Sequence, residues 1–382
     1  MEHKQIKYDC DLGIIGGGLA GLTLAIQAAN AGYRVLLFEK ETYPFHKVCG
    51  EYISQESRKF LESCGIPLDD WGLPCINTLS ISDTYGNGYS FQLPLGGFGV
   101  SRFKLDNVLY EKAVKKGVTV ITDCKVNDIL FVEDHFLIQT KGATYITKLA
   151  AGCFGKRSNI DIKWAREFTK SKPGKLNNYI GVKYHIRYNH PSDTIVLHNF
   201  KDGYCGMSRV EDGISCLCYL TTAENLRLSG NSIPVMEETI LAKNPLLKKI
   251  FNEAGHLYPG PITISQVSFQ YKKQIENHVI MLGDAAGMIT PLCGNGMSMA
   301  MHSAKIAFEN IQLFLSRKIS RAELENQYTK QWQAHFAMRT RVGRWVQSLF
   351  GGHTTTFLFL KLMHRFPILA KKLISLTHGK EF

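Results

Sequence analysis

The sequence predicts an α/β fold: a Rossmann-like dinucleotide-binding domain assembled from separated segments, with an inserted β-rich domain and a helical C-terminal region. Three observations predict it. Residues 9–39 read as strand, glycine turn, helix, strand and acid. Residues 180–222 are rich in strand formers, in GVKYHIRY, TIVLHNF and ISCLCYL. Beyond residue 311 the pattern is helical and basic.

Cys10 to Ile15 reads as a buried parallel strand. Gly16, Gly18 and Gly21 form G-x-G-x-x-G at the strand–helix junction. Gly16 permits the tight turn, Gly18 lets a pyrophosphate approach the backbone, and Gly21 lets the helix pack on the strand. The helix start, at Leu19 and Ala20, offers free N–H groups and a positive dipole end to phosphates. Val35 to Phe38 is the second strand, and Glu39 closes it, with Lys40 beside it. A carboxylate there accepts both hydroxyls of an adenosine ribose and repels a 2′-phosphate, which disfavours NADP at this turn.

Further along, TYPFHKVCGE is a loop, followed by a helix through Ser57 to Leu61. Residues 76–100 alternate and turn at Tyr85-Gly86-Asn87-Gly88, as strands of a second sheet do. Leu105, Val108, Leu109 and Ala113 give helical spacing over 104–116, and Val118 to Ile121 returns to strand. Asp212-Gly213 reads as a hairpin turn, and 234–254 as helical. The dinucleotide domain thus takes residues 1–75, 100–165 and 270–310. The β-rich domain takes 76–99 and 166–269, and the basic helical region 311–382.

A second motif extends the ligand. In VIMLGDAAGMITPLCGNGMSMAM, a strand ends at Gly283-Asp284, and a loop with Pro291, Gly294 and Gly296 enters another helix at Met297. Asp284 suits polyol hydroxyls. The N–H groups around Asn295, Gly296 and Met297 suit negative charge on a reduced flavin ring. Together the two motifs point to FAD.

Gly16, Gly18, Gly21 and Glu39, then Arg102 and Asp106 in SRFKLDNVL, then GDAAG with the Pro291 loop, occur in one order over residues 9 to about 310. In this the chain resembles the FAD-dependent oxidoreductases related to p-hydroxybenzoate hydroxylase, geranylgeranyl reductase and the flavin-dependent halogenases. The resemblance implies an extended FAD, with adenosine at Glu39, pyrophosphate on Gly16 to Gly21, and Asp284 at the ribityl chain or pyrophosphate. Pro291 to Met297 then flank the isoalloxazine, and Arg102 lies near FAD. Asp106 is expected as a structural helix residue. HKVCGE resembles the K-x-C-G-E segment of the reductase branch, which makes Lys47, Cys49 and Glu51 candidates to line the site. Cys49 is alternatively a small buried apolar residue, and Glu51 a cap for the helix that follows.

Three family features are missing. Phe154 in AAGCFGKRS stands where the hydroxylases carry an acid before glycine, and Lys156 and Arg157 follow as phosphate partners or a solvated turn. The halogenase W-x-W-x-I-P and the reductase Y-x-W-x-F-P are absent, and DGYCGMSRVEDG retains only Tyr204 as a candidate active-site wall. The expected reaction is monooxygenation of an apolar or aromatic small molecule through a flavin hydroperoxide, with NAD(P)H as electron donor. The alternative is reduction of a prenyl or other lipophilic alkene, and an FAD-bearing scaffold is a third. Catalytic candidates are Cys49 and Tyr204. His46 and His198 are further guesses at a base, with structural roles as the alternative.

The chain has 382 residues, 45% hydrophobic and 20% charged, and reads as globular. Its ten cysteines form no C-x-x-C pair, so a reducing, cytoplasmic setting and no metal are expected. Formal net charge is +12, with eight Lys or Arg and one acid from Arg339 onward. No nucleic-acid motif accompanies it. Around Pro367, Phe357–Met363 and Phe366–Leu369 interleave with Lys361, Arg365, Lys371 and Lys372 as two short amphipathic helices. They read as packing over the substrate domain, or as a peripheral membrane contact.

Overall fold

The computed structural model describes residues 6–172, 174 and 177–382. β1 (Cys10–Ile15) runs through the glycine turn into α1 (Leu19–Asn30) and returns as β2 (Val35–Phe38). β3 (Tyr52–Ser54) and α2 (Arg58–Ser63) follow, then the hairpin of β4 (Cys75–Ser82) and β5 (Gly88–Gly99). α3 (Arg102–Lys115) leads to β6 (Thr119–Ile121) and the meander β7 (Asp128–Val132), β8 (His135–Gln139) and β9 (Thr144–Gly152). Short helices α4 (Asn159–Lys163) and α5 (Glu167–Lys170) precede β10 (Tyr179–Arg187), β11 (Thr194–Phe200), β12 (Gly203–Arg209) and β13 (Ser215–Thr222). Next come α6 (Ala223–Leu228), α7 (Ile233–Thr239) and α8 (Pro245–Glu253), then β14 (Gly255–His256), β15 (Ile262–Val267), β16 (Ile275–Glu276) and β17 (Val279–Met281). The last helices are α9 (Gly296–Leu315), α10 (Arg321–Gln347), α11 (His353–Arg365) and α12 (Pro367–Thr377).

The first sheet has the order β16-β17-β9-β1-β2-β6, with β8 also on β9 and β7 on β8. β17, β9, β1, β2 and β6 are parallel. Ile14 of β1 pairs with Leu37 on one side and Ala151 on the other. α1 packs with α3 and α9 over this sheet, Ile138 of β8 closes on Gly13 from the opposite side of β1, and Leu12 and Ile14 are fully buried, which is why β1 reads as largely apolar.

The second sheet has the order β14-β10-β13-β12-β11-β4-β5-β3, with β15 on β10. It is antiparallel except for β4 beside β11. Asp212 and Gly213 both have positive φ between β12 and β13, the turn expected of an Asp-Gly pair. One apolar cluster packs this sheet against α7 and α8, and a second packs it under the C-terminal helices.

Two pieces differ from the sequence reading. β3 lies within the first segment of the dinucleotide domain, yet pairs with β5 in the second sheet through Ile53 and Phe98. Three residues are too few to show an alternation. The β7–β8 hairpin, unread in the sequence, widens the first sheet through β9. Pro367 separates α11 from α12 as expected, and Phe366 before it leaves the helical region.

Candidate functional site

The glycine turn is shaped by close approaches. Gly16 has φ +107°, and its N–H donates to the Phe38 carbonyl at 2.8 Å. A Cβ on Gly21 would sit 2.0 Å from the Gly16 carbonyl oxygen. The space over Gly18 is different in kind: a Cβ there would meet only the Arg102 guanidinium and the Lys47 ammonium, each at 3.6 Å. α1 starts at Gly18 with no side-chain cap. The first-turn N–H groups from Leu19 through Gly21 therefore face a cradle flanked by two cations. The side chains of Leu19 and Ala20 are buried, so these residues can contribute only backbone.

Asp106 holds the two cations. Its carboxylate accepts from Arg102 Nε and Nη2, both at 2.7 Å, and lies 3.2 Å from Lys47 Nζ. Burial alone would raise the Asp106 carboxyl, but Arg102 and Lys47 outweigh it and hold it below the usual range. Burial likewise works against the Arg102 guanidinium, and Asp106 again wins. The trio carries one net positive charge beside the cradle.

Glu39 is buried, and its Oε2 accepts from Gly17 N–H at 2.8 Å while its Oε1 accepts from Glu41 N–H at 3.1 Å. Tyr43 donates to the Gly17 carbonyl at 2.5 Å. Lys40 is exposed, with its ammonium 3.3 Å from Glu41.

The K-x-C-G-E loop is tied down one carbonyl at a time. The Lys47 carbonyl accepts from Lys183 Nζ at 3.2 Å and that of Val48 from Lys156 Nζ at 3.3 Å. The Cys49 carbonyl accepts from Cys216 Sγ and that of Gly50 from Ser208 Oγ, each at 3.2 Å. Lys183, Ser208 and Cys216 stand on β10, β12 and β13, so the second sheet grips the loop of the first domain. Lys156 is thus a loop tether through its ammonium.

Glu51 is fully buried at φ +57°. It bonds Lys183 Nζ, His185 Nε2 at 2.6 Å and the Arg102 N–H at 2.7 Å. It does not cap the helix that follows it. It caps α3, whose first residue is Arg102, because the loop folds back over that helix start. Burial alone would raise the Glu51 carboxyl, but Lys183 and His185 bring it down to about 2. Glu51, His185 and Cys216 converge closely enough to suit a metal, but the Lys183 ammonium already balances the carboxylate.

The late strand delivers the other half. Gly283 N–H donates to Ser303 Oγ at 3.0 Å, and a Cβ on Gly283 would lie 3.4 Å from Ala20. Asp284 is therefore placed beside the first turn of α1. The sequence reading missed what fixes this turn. Lys272 donates to the Asp284 carbonyl at 2.8 Å, Arg166 to that of Ala285 at 3.1 Å and Gln274 to that of Ala286 at 3.0 Å. Lys272 also donates to the Lys156 carbonyl at 2.7 Å, and burial lowers its ammonium to about 8. Lys272→Met strands two half-buried carbonyls. We expect a loss of about 1–3 kcal/mol in urea unfolding and weaker flavin retention on gel filtration.

Pro291–Cys293 form a short 3₁₀ turn, and Gly294 follows at φ +65°. Asn295, at the start of α9, donates its amide to the Thr377 carbonyl at 2.8 Å and makes no cap. The first-turn N–H groups at Gly296 and Met297 are therefore a second uncapped helix start. Against this loop lies a cavity of about 120 Å³. Leu79, Ile81, Phe91 and Leu197 of the second sheet line it, with Leu292 and Cys293 from the loop and Phe359, Leu360, Met363 and Ile374 from α11 and α12.

Of the catalytic candidates, Tyr204 is buried beside this loop. Its hydroxyl lies by the Leu292 peptide, with Cys218 and Cys293 nearby. Cys49 is half-buried. His198 is bonded to Ser82 Oγ at 2.9 Å inside the second sheet and is structural. His46 stacks on Phe103, and burial, then Lys183 and His185, lower it to about 4.

A sequence profile for NAD(P)-binding Rossmann-like domains matches residues 14–48. The digeranylgeranylglycerophospholipid reductase of Methanococcus vannielii is 26% identical, over 86% of this chain and 84% of the relative. The profile match and this relative support the FAD-dependent oxidoreductase superfamily. The chain is also 23% identical to conditioned medium factor receptor 1 of Dictyostelium discoideum, over 99% of the chain and 78% of the relative. Its fold matches the flavin-dependent brominase Bmp2 with a TM-score of 0.78 at 18% identity, covering 96% and 93% of the two chains. A flavoprotein/dehydrogenase from Cytophaga hutchinsonii matches with a TM-score of 0.76 at 16% identity, covering 96% and 92%. The residues fit FAD: α1 and α9 both start without a side-chain cap, the open space over Gly18 has cations at its rim, and a buried Glu39 closes β2.

Proposed function

We propose that this FAD-dependent oxidoreductase saturates a double bond in an apolar substrate whose reacting part enters the cavity beside Pro291–Gly294. One observation carries the reading: the cavity is walled almost wholly by aliphatic and aromatic side chains. The likeness to the digeranylgeranylglycerophospholipid reductase of Methanococcus vannielii supports it. FAD supplies the hydride chemistry when bound, and NAD(P)H is the proposed source of electrons.

The chain's own part is to bind, orient and keep water out. The Gly18 cradle with Lys47 and Arg102 takes the diphosphate, and Glu39 the adenosine ribose. The free start of α9 favours negative charge at the ring end. Tyr204, buried beside the Leu292–Cys293 wall of the cavity, is the proposed proton donor for saturation. Burial pushes its hydroxyl well above the ordinary range, so it is protonated at neutral pH.

Monooxygenation is the second reading. The missing tryptophan in residues 202–213 favours it over saturation, and Phe91, Phe350 and Phe359 suit an aromatic ring.

Anaerobic turnover with NADH or NADPH and a prenylated alkene tests the choice. The expected product gains two hydrogens without O2. Tyr204→Phe should lower kcat by about 10²-fold at unchanged flavin content. Turnover that requires O2 and adds oxygen to the product would refute the reductase reading and establish the second.

A further inference from the structure

The helices that roof the cavity are apolar on two sides. Leu360 and Met363 of α11, and Ala370, Leu373 and Ile374 of α12, face inward onto the cavity. On the outer side, Leu358 is 56% exposed, Phe366 52% and Ile368 86%, and Leu362, Leu369 and Leu376 are exposed with them. Leu358 and Leu362 are one turn apart on α11, and Phe366 follows at the same spacing beyond its end. A helix apolar on opposite faces has a partner for each, and the inner face already has its own.

Charge identifies the outer partner. Lys361, Arg365, Lys371 and Lys372 are exposed among these residues. Between Asn326 and Lys380 the sequence holds no Asp or Glu. Among the described residues, none of the four cations has a carboxylate within ion-pair distance; Lys361 lies over Phe357 and Arg365 over Phe366. Trp345 of α10 is exposed beside them, its ring edge-on to Phe359 of α11. A second copy of this surface would set cation against cation. An anionic bilayer offers acyl chains for the apolar strip and headgroups for the rim.

We infer that α11 and α12 dock this oxidoreductase on an anionic lipid surface, with the substrate cavity directly beneath the docked helices. Among the described residues no helix is long and apolar enough to cross a membrane, and the proposed contact is interfacial. The docking stands apart from the choice between saturation and oxygenation, because its test reads binding and not turnover.

Flotation of the flavin-loaded full chain with vesicles is the test, using phosphatidylcholine alone and phosphatidylcholine with phosphatidylglycerol. Each basic residue near an anionic surface contributes about fivefold in partitioning. Binding to the mixed vesicles is therefore expected to exceed binding to the neutral ones by at least tenfold and to weaken with salt. Ile368→Glu with Leu369→Glu, and separately Lys371→Glu with Lys372→Glu, should each abolish flotation at unchanged flavin spectrum and melting temperature. No flotation of the parent chain at low salt overturns the proposal. So does concentration-dependent dimerisation in light scattering that the same substitutions remove without any vesicle binding, which would assign the surface to a second copy.

Discussion

Glu51→Gln is expected to cost about 3–5 kcal/mol of unfolding free energy. The substitution leaves Lys183 charged and fully buried without its counter-ion, beside His185. Three segments lose their common partner at once: the 47–51 loop, the start of α3, and β10 of the second sheet. Urea unfolding measures the loss directly. Acid titration gives an independent reading. The folded Glu51 carboxyl lies near 2, against an ordinary 4.5. Its stabilisation is thus complete above about pH 4.5 and vanishes as the pH falls through about 2. The variant should show correspondingly less loss of stability between these pH values. A Glu51→Gln protein that unfolds at the parental urea midpoint would show that the buried trio is not a keystone between the domains.

Gly21→Val should abolish flavin binding. The first added carbon already falls 2.0 Å from the Gly16 carbonyl oxygen, well inside contact, and that oxygen is backbone in the turn itself. α1 must move away from β1, and the N–H groups at Leu19 and Ala20 move with it. The purified variant should be colourless and take up no added FAD in fluorescence titration. Arg102→Ala is the milder companion. It removes one cation from the rim of the Gly18 cradle and leaves Asp106 with Lys47 alone, so weakened rather than abolished uptake is expected. Retention of full yellow colour by the Gly21 variant would place the dinucleotide elsewhere.

These two expectations differ in how they could have been found. The Gly21 prediction is visible in the letters, because a G-x-G-x-x-G between an apolar run and a helix is local chemistry spanning one turn. The partners of Glu51 were not visible. Lys183 and His185 lie 132 and 134 residues away along the chain. A signal did exist: two polar residues at i and i+2 in the otherwise apolar GVKYHIRY share one face of a strand. Read alone, they suggest an ordinary polar face. The same limit applies to Lys272, Arg166 and Gln274, whose side chains hold consecutive carbonyls of the GDAAG turn from separate segments. It applies to β3 as well, which is too short to declare its sheet.

By itself the sequence determined what is local and periodic: the βαβ start, the acid at Glu39, the glycine-bearing turns, the Asp212-Gly213 hairpin and the break at Pro367. Each depends on backbone freedom or side-chain spacing within a few residues. The tertiary structure alone decided which side chains meet across long separations. It turned Glu51 from a cap of the next helix into the cap of α3, gathered Lys47, Arg102 and Asp106 at Gly18, and folded the last two helices over the cavity. Burial is the physical reason, since a buried charge or carbonyl must find its partner wherever the packed chain supplies one.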